Sequence, residues 1–426
     1  MSFNPFEEKG ERLNAFENWK QLYPRAYDKN ATDPKTKMRI ILMNGTEFEA
    51  QWFLHNMARH TADNDLRRDL AVIRRAEQQE QKKLSYLKPK DESILETTIA
   101  YEQLAVELTA MLARKEKNMT VRRALDFALL EDFDHLYRYA DLLEMDSGIR
   151  AETLVGKKTE IMPGRPTVSE HRYPTDDIKK PLPANAPLSS KLHAMIITAA
   201  EQQTMNFYMN CGTFYEASEI GRKLFLEIGM IEEQHVSLYE SVQYSSASWL
   251  ECLLMHEYAE CYLYHSMSMD ETDNNIRAIW TEYLDREIGH LHAAARLLEK
   301  YEGKHWSEVI PGGEFPEPLL FSEAEGGNME YIRRVLKNTV NLTADKEGYV
   351  NVSDVPESSG FFGYNRKGAV ASVSSQNVID RYIAEAGEDY RFQVSAHPVG
   401  MLRDRTKDNV DVGRCRDCDE KGNKLK

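Results

Sequence analysis

The chain has 426 residues, 42% hydrophobic and 29% charged, which at ~150 residues per domain gives apolar mass for about three structural units. Its net charge of −15, from 54 basic and 69 acidic residues, argues against a nucleic-acid binder or a polybasic membrane anchor, yet leaves room for carboxylates clustered around cations. The first residues lack the order of a secretory signal and no stretch approaches the ~18 apolar residues of a membrane span. The odd set of cysteines, Cys211, Cys252, Cys261, Cys415 and Cys418, suits a reducing compartment, so a cytoplasmic protein is expected.

In chain order, residues 1–35 read as a loose polar arm with one short helix. Residues 36–146 read as helix almost throughout, broken only near His60–Asp65, Lys88–Asp91 and Lys117–Thr120. Connections that short join antiparallel neighbours, so four helices are expected to form one bundle. Residues 147–188 carry Pro163, Pro166, Pro174, Pro181, Pro183 and Pro187 and read as a linker. A second helical block, 189–302, breaks near Cys211–Thr213, Tyr244–Ala247 and Asp270–Asp273. Residues 303–426 read as an irregular extension with helix candidates at 328–339 and 375–387. The expected fold is all-α: two tandem four-helix bundles, up-down-up-down, plus this C-terminal extension.

The two blocks are related. Moving the second back by 155 places Glu232 on Glu77, His235 on Glu80, Glu257 on Glu102, Glu287 on Asp132 and His290 on His135. A shift of 154 places Glu201 on Glu47. Polar positions in one register, with carboxylate replacing carboxylate or His, indicate an internal duplication.

In the second block, Glu232-Glu-Gln-His235 and Glu287-Ile-Gly-His290 are both Glu-x-x-His, and residues three apart share a helix face. Glu287 and His290 fall inside the apolar stripe of Ile276, Trp280, Tyr283, Leu291 and Leu298. Glu232 and His235 continue that of Leu224 and Ile228, Glu257 follows Leu253 and Leu254, and Glu201 lies between Ile197 and Met205. Buried without compensation, each carboxylate would cost several kcal/mol; two divalent cations make the set reasonable. In the first block Glu47, Glu77, Glu80, Glu102, Asp132 and His135 form an oxygen-rich set suited to Mn(II) or Fe(II). Glu49 competes with Glu47, although Thr46-Glu-Phe-Glu49 also has the spacing of a capping box.

One Glu from each of two helices with Glu-x-x-His from each of the other two resembles the ferritin-like superfamily of di-iron carboxylate proteins, in the rubrerythrin and bacterioferritin style. The resemblance implies that Glu232 and Glu287 bridge or chelate the metals, that His235 and His290 each ligate one ion, that Glu201 and Glu257 are terminal, and that Glu260 is an additional mobile carboxylate. It implies two Fe per site, with Mn as the other option, in 189–302; for 36–146, read as a degenerate form, a second such site and a metal-free relic both stay open. One departure stands out: His235 and Glu257 are 22 residues apart, too few for the family's long crossover between second and third helices.

The resemblance implies an oxidoreductase using O₂ or peroxide, with an oxidase or oxygenase acting on a small organic substrate placed first. Peroxide detoxification, ferroxidase or iron handling, and a non-catalytic metal-stabilised structural protein stay open. The partners expected are metal ions, O₂ or peroxide and a small molecule, with no nucleic acid and no membrane, and a homodimer is left open. Tyr208, Tyr239, Tyr264 and Tyr283 are candidates for redox roles or simply core. Cys252 and Cys261 read as buried small hydrophobes. Cys415-Arg-Asp-Cys418 has metal-knuckle spacing but no second pair, and His171 and His397 have no evident partners.

Overall fold

A computed structural model describes residues 3–156, 158–161, 164, 174–336, 348–351, 374–387, 389 and 412–415. His171, His397, Cys418 and most of the expected C-terminal extension lie outside these residues. The described chain is all-helical apart from one short two-stranded ribbon. Eight long helices are α1 Pro34–Arg59, α2 Asn64–Ser85, α3 Ile94–Lys115, α4 Met119–Ser147, α5 Leu188–Cys211, α6 Glu219–Val242, α7 Trp249–Asp270 and α8 Asn274–Glu302. Two more follow, α9 Phe321–Leu336 and α10 Ser374–Ala386, near the two stretches where helix is expected. Strands β1 Gly348–Asn351 and β2 Val412–Cys415 pair antiparallel, with Gly348 opposite Cys415.

Local chemistry sets the helix ends, and it repeats in the register of the duplication. Ser93 caps α3 in a reciprocal box with Glu96, and Ser248 caps α7 with Glu251 in the same way. Asn118 and Asp273 accept the first amides of α4 and α8. These two helices end on Gly148 and Gly303, both left-handed, with φ of 70° and 67°. Asp33 and Pro34 start α1. Once started, α1 runs through Thr46, whose hydroxyl donates to Leu42 O at 3.0 Å within the helix. The capping-box spacing at Thr46–Glu49 therefore marks no helix start, because an earlier and better cap already exists.

The main correction concerns which helices share a core. The described molecule divides into two compact units that do not follow the two sequence blocks. Unit 1 comprises Met1–Glu92, Pro181–Gln203 and Gln243–Glu323; unit 2 comprises Ser93–Lys180, Thr204–Val242 and Ala324–Lys426. In unit 1 the hairpin α1–α2 packs against the hairpin α7–α8, through α1 on α7 and α2 on α8. Its core includes Leu70, Ile73, Leu254, Trp280 and Leu291. In unit 2 the hairpin α3–α4 packs through α4 on α6, joined by the last turns of α5. Leu108, Leu125, Leu224 and Ile228 lie in its core.

The bundles expected at 36–146 and 189–302, each up-down-up-down, are thus replaced by two bundles that each draw on both blocks. A 22-residue helix is ~33 Å long. The six residues between α6 and α7 and the eight between α2 and α3, at ~3.4 Å each, are too few to run back along such a helix. They suit a turn to a neighbour in either arrangement, so connection length does not choose between the two pairings. Because the blocks are related in sequence, α7–α8 covers the apolar stripe of α1–α2 with chemistry equivalent to that of α3–α4.

The N-terminal arm, expected to be loose, is laid down on unit 1. Glu11 N donates to Asp285 O at 2.7 Å, and Glu17 exchanges two hydrogen bonds with the Gln79 side chain. Arg39, buried in α1, pairs with Asp270 at 2.6 Å and Glu271 at 3.4 Å at the end of α7. In unit 2, α10 packs on α4 and α6, with Ile379 against Tyr137. No helix among the described residues is long and apolar enough to cross a membrane.

Candidate metal centres

In unit 1, Glu47 on α1, Glu77 and Glu80 on α2, Glu257 and Glu260 on α7, and Glu287 and His290 on α8 converge in the bundle interior. Each is at most 2% exposed. Two groups of ligand atoms each lie within 4.8 Å of one another: Glu77, Glu257, Glu287 and His290, and Glu47, Glu77, Glu80 and Glu287. The groups share Glu77 and Glu287, so two adjacent ion positions with two common carboxylates fit there. His290 Nδ1 is 2.9 Å from Glu77 and 3.1 Å from Glu287. The buried hydroxyl of Tyr264 donates to Glu47.

In unit 2 the set is Glu102 on α3, Asp132 and His135 on α4, and Glu232 and His235 on α6. Glu102, His135 and Glu232 form one close group of ligand atoms here, with Asp132 and His235 beside it. Glu201, on α5, is buried and belongs to unit 1. His135 Nδ1 is 2.9 Å from Glu232, and His235 Nδ1 is 3.1 Å from Glu232 and 3.2 Å from Asp132. Tyr208 donates to Glu102 at 2.5 Å.

The donor chemistry fits divalent cations on an observation internal to the protein. Both oxygens of Glu80 and of Glu260, and Oε2 of Glu47, are buried without a hydrogen-bond partner, a costly arrangement for protein alone. Burial, reinforced by neighbouring carboxylates, pushes Glu47, Glu257, Glu260 and Glu287 well above the usual carboxylate range. Burial does the same to Glu102, with Glu232 adding to it. Burial alone would raise Glu232 too, but the His135 and His235 imidazoles outweigh it and hold it down at about 2. Burial would lower His290, yet Glu77, Glu80 and Glu257 bring it up to about 9. Bound dications would replace the protons that such clusters otherwise retain.

Every side chain expected to ligate metal is buried, and all but Glu201 fall in one of these two clusters, but the grouping differs from expectation. Glu232 and His235 do not meet Glu257, Glu287 and His290; they meet Glu102, Asp132 and His135 instead. Three carboxylates and two imidazoles are assembled in unit 2 from both blocks, and unit 1 holds six carboxylates and His290. Glu49 takes no part and pairs with His256 at 3.1 Å.

Two residues were missed. Glu131 Oε2 is 2.6 Å from His235 Nε2, and Arg286 Nη1 is 3.6 Å from Glu80. Their signal was that each immediately precedes a ligand, Asp132 or Glu287, and that 131 and 286 stand in the register of the duplication.

Tyr208, Tyr239, Tyr264 and Tyr283 are all fully buried. Cys261 is buried and Cys252 half-buried, with burial raising the Cys252 thiol to about 11, as befits inert packing residues. Compared with known proteins, the chain matches no family model, no curated protein and no solved structure.

Proposed function

We propose that each unit holds a pair of divalent metal ions, iron first and manganese second, and that the protein is a ferritin-like carboxylate oxidoreductase acting with O₂ or peroxide. The observation that carries this reading is the pair of four-ligand groups in unit 1 that share Glu77 and Glu287. Paired ions of this kind supply two electrons to O₂ or peroxide. The chain's own residues do the rest. Glu77, Glu287 and Glu232 would span two ions, and His290, His235 and His135 would each hold one. Tyr264 and Tyr208 fix the orientation of Glu47 and Glu102 by donating to them. The apolar bundle around each cluster keeps water away from it.

A small organic substrate for unit 2 is supported by a partly open cavity of about 260 Å³ lined by Tyr208, Met209, Thr213 and Leu226 together with the charged Glu219, Arg222 and Lys223. Tyr208, which donates to Glu102, thus also borders a space large enough for a small molecule. Iron handling is the second reading. It is favoured by Glu260, which stands outside both unit 1 groups with two unpartnered oxygens and would suit an ion in transit.

The deciding experiment is metal content per chain after anaerobic purification, with optical spectra before and after air. About four irons per chain and a new near-ultraviolet charge-transfer band on oxidation support the redox reading. Redox-silent zinc, or little metal, sinks it.

A further inference from the structure

The duplicated register places Glu131 and Arg286 at the same position, and each faces the residue at the variable ligand position of its own unit. In unit 2 that ligand is His235, with Glu131 2.6 Å from its Nε2. In unit 1 it is Glu80, with Arg286 3.6 Å away. Where the ligand is a base its neighbour is an acid, and where the ligand is an acid its neighbour is a base. The pair is charge-swapped within one geometry.

The swap brings the centres closer in charge. When ionised, Glu47, Glu77, Glu80, Glu257, Glu260 and Glu287 give unit 1 six negative charges, and Arg286 removes one. Glu102, Asp132 and Glu232 give unit 2 three, and Glu131 adds one. The difference between the clusters narrows from three charges to one, although unit 1 has Glu80 and Glu260 where the register puts His235 and Ala105 in unit 2. Arg286 also meets Glu11, Glu17 and Glu282. Glu17 is shared with Lys83 at 2.9 Å, and Glu11 and Glu282 are both 42% exposed, so solvent screens them.

Resting on the dinuclear reading above, we infer that Arg286 and Glu131 are the positioning and charge-balancing residues of the two centres, each tuning the ligand at the variable position of its own unit. Arg286 restrains an over-acidic cluster, and Glu131 makes His235 a stronger donor.

Co(II) titration of the full chain, followed by its visible absorption, tests this with one centre disabled at a time. In a Glu232→Ala chain, which leaves unit 1 to bind, Arg286→Gln is expected to tighten Co(II) roughly tenfold and Arg286→Lys to leave it unchanged. In a Glu287→Ala chain, which leaves unit 2, Glu131→Gln is expected to weaken Co(II) roughly 10- to 100-fold, and Glu131→Asp to recover part of that. In the Glu232→Ala chain, Glu80→His is expected to weaken binding and the added Arg286→Glu to restore it.

A merely structural role would weaken binding in every variant. Shifts of the same sign for Arg286→Gln and Glu131→Gln, or no recovery in the Glu80→His, Arg286→Glu chain while its helical circular dichroism is intact, would overturn the inference alone. Absence of Co(II) binding in the parent Glu232→Ala and Glu287→Ala chains would overturn the dinuclear reading and this inference with it.

Discussion

His135 on α4 and Glu232 on α6 are 97 residues apart in sequence, yet His135 Nδ1 lies 2.9 Å from Glu232 Oε1 at 0% exposure. One comes from each half of the duplication. Their meeting defines the protein's organisation: each cluster of buried acids and imidazoles takes helices from both halves, so neither half carries a complete centre.

Metal loss is therefore expected to follow the units and not the sequence blocks. Glu232→Ala should empty the cluster of Glu102, Asp132, His135 and His235, and His290→Ala that of Glu47, Glu77, Glu80 and Glu287. Each variant should retain about two of about four ions per chain. Elemental analysis checks the amounts, and the double variant should retain almost none. If Glu232→Ala and Glu287→Ala deplete the same ions, the two centres are not independent.

The metal-free protein is expected to be most stable in mild acid. Glu47, Glu102, Glu257, Glu260 and Glu287 have raised folded pKa values, so the stability they contribute is present below the usual carboxylate value and lost as pH rises through the raised one. His290 acts in the same direction, with stability present below its ordinary 6.5 and lost as pH rises through about 9. Glu232 opposes them, its contribution being lost as pH falls from 4.5 through about 2. Thermal midpoints of chelator-treated protein should fall between pH 6 and pH 9, by roughly a few degrees per kcal/mol. Metal-loaded protein should show a flatter profile, because binding has already released these protons. A metal-free midpoint that rises over this range would contradict the assignment.

Gly289→Ala tests the seat of the N-terminal arm. A Cβ at this helical position would come within 2.2 Å of Glu11 O. The arm would have to lift, breaking the hydrogen bond from Glu11 N to Asp285 O. A loss of about 1–3 kcal/mol in urea unfolding is expected, with faster proteolysis before residue 30. Unchanged cleavage would mean that the arm yields elsewhere.

Tyr208→Phe removes the donor to Glu102 but keeps the ring against Phe225 and Tyr139. Leaving a buried carboxylate oxygen unsatisfied should cost about 1–3 kcal/mol in the metal-free protein. Less of that cost should appear with metal bound, since an ion can take up the freed oxygen. Equal losses with and without metal would separate Tyr208 from the centre.

Much of this was legible in sequence because burial of charge is a local statement. A Glu-x-x-His pair inside an apolar stripe, as at Glu287 and His290, states that the carboxylate faces the core whatever packs against it. The caps at Ser93, Asn118, Ser248 and Asp273 likewise act within one helical turn, so helix identity, length and ligand face followed from the residues themselves. Two things did not follow. Glu131 and Arg286 became visible only once the helices opposite them were known, because their roles lie in contacts with His235 and Glu80. The sharing of helices between units was hidden for a related reason. The duplication gave α3–α4 and α7–α8 equivalent faces, so the pattern could not state which hairpin covers α1–α2. Short turns suit either pairing, so only the packing in the tertiary structure decides it.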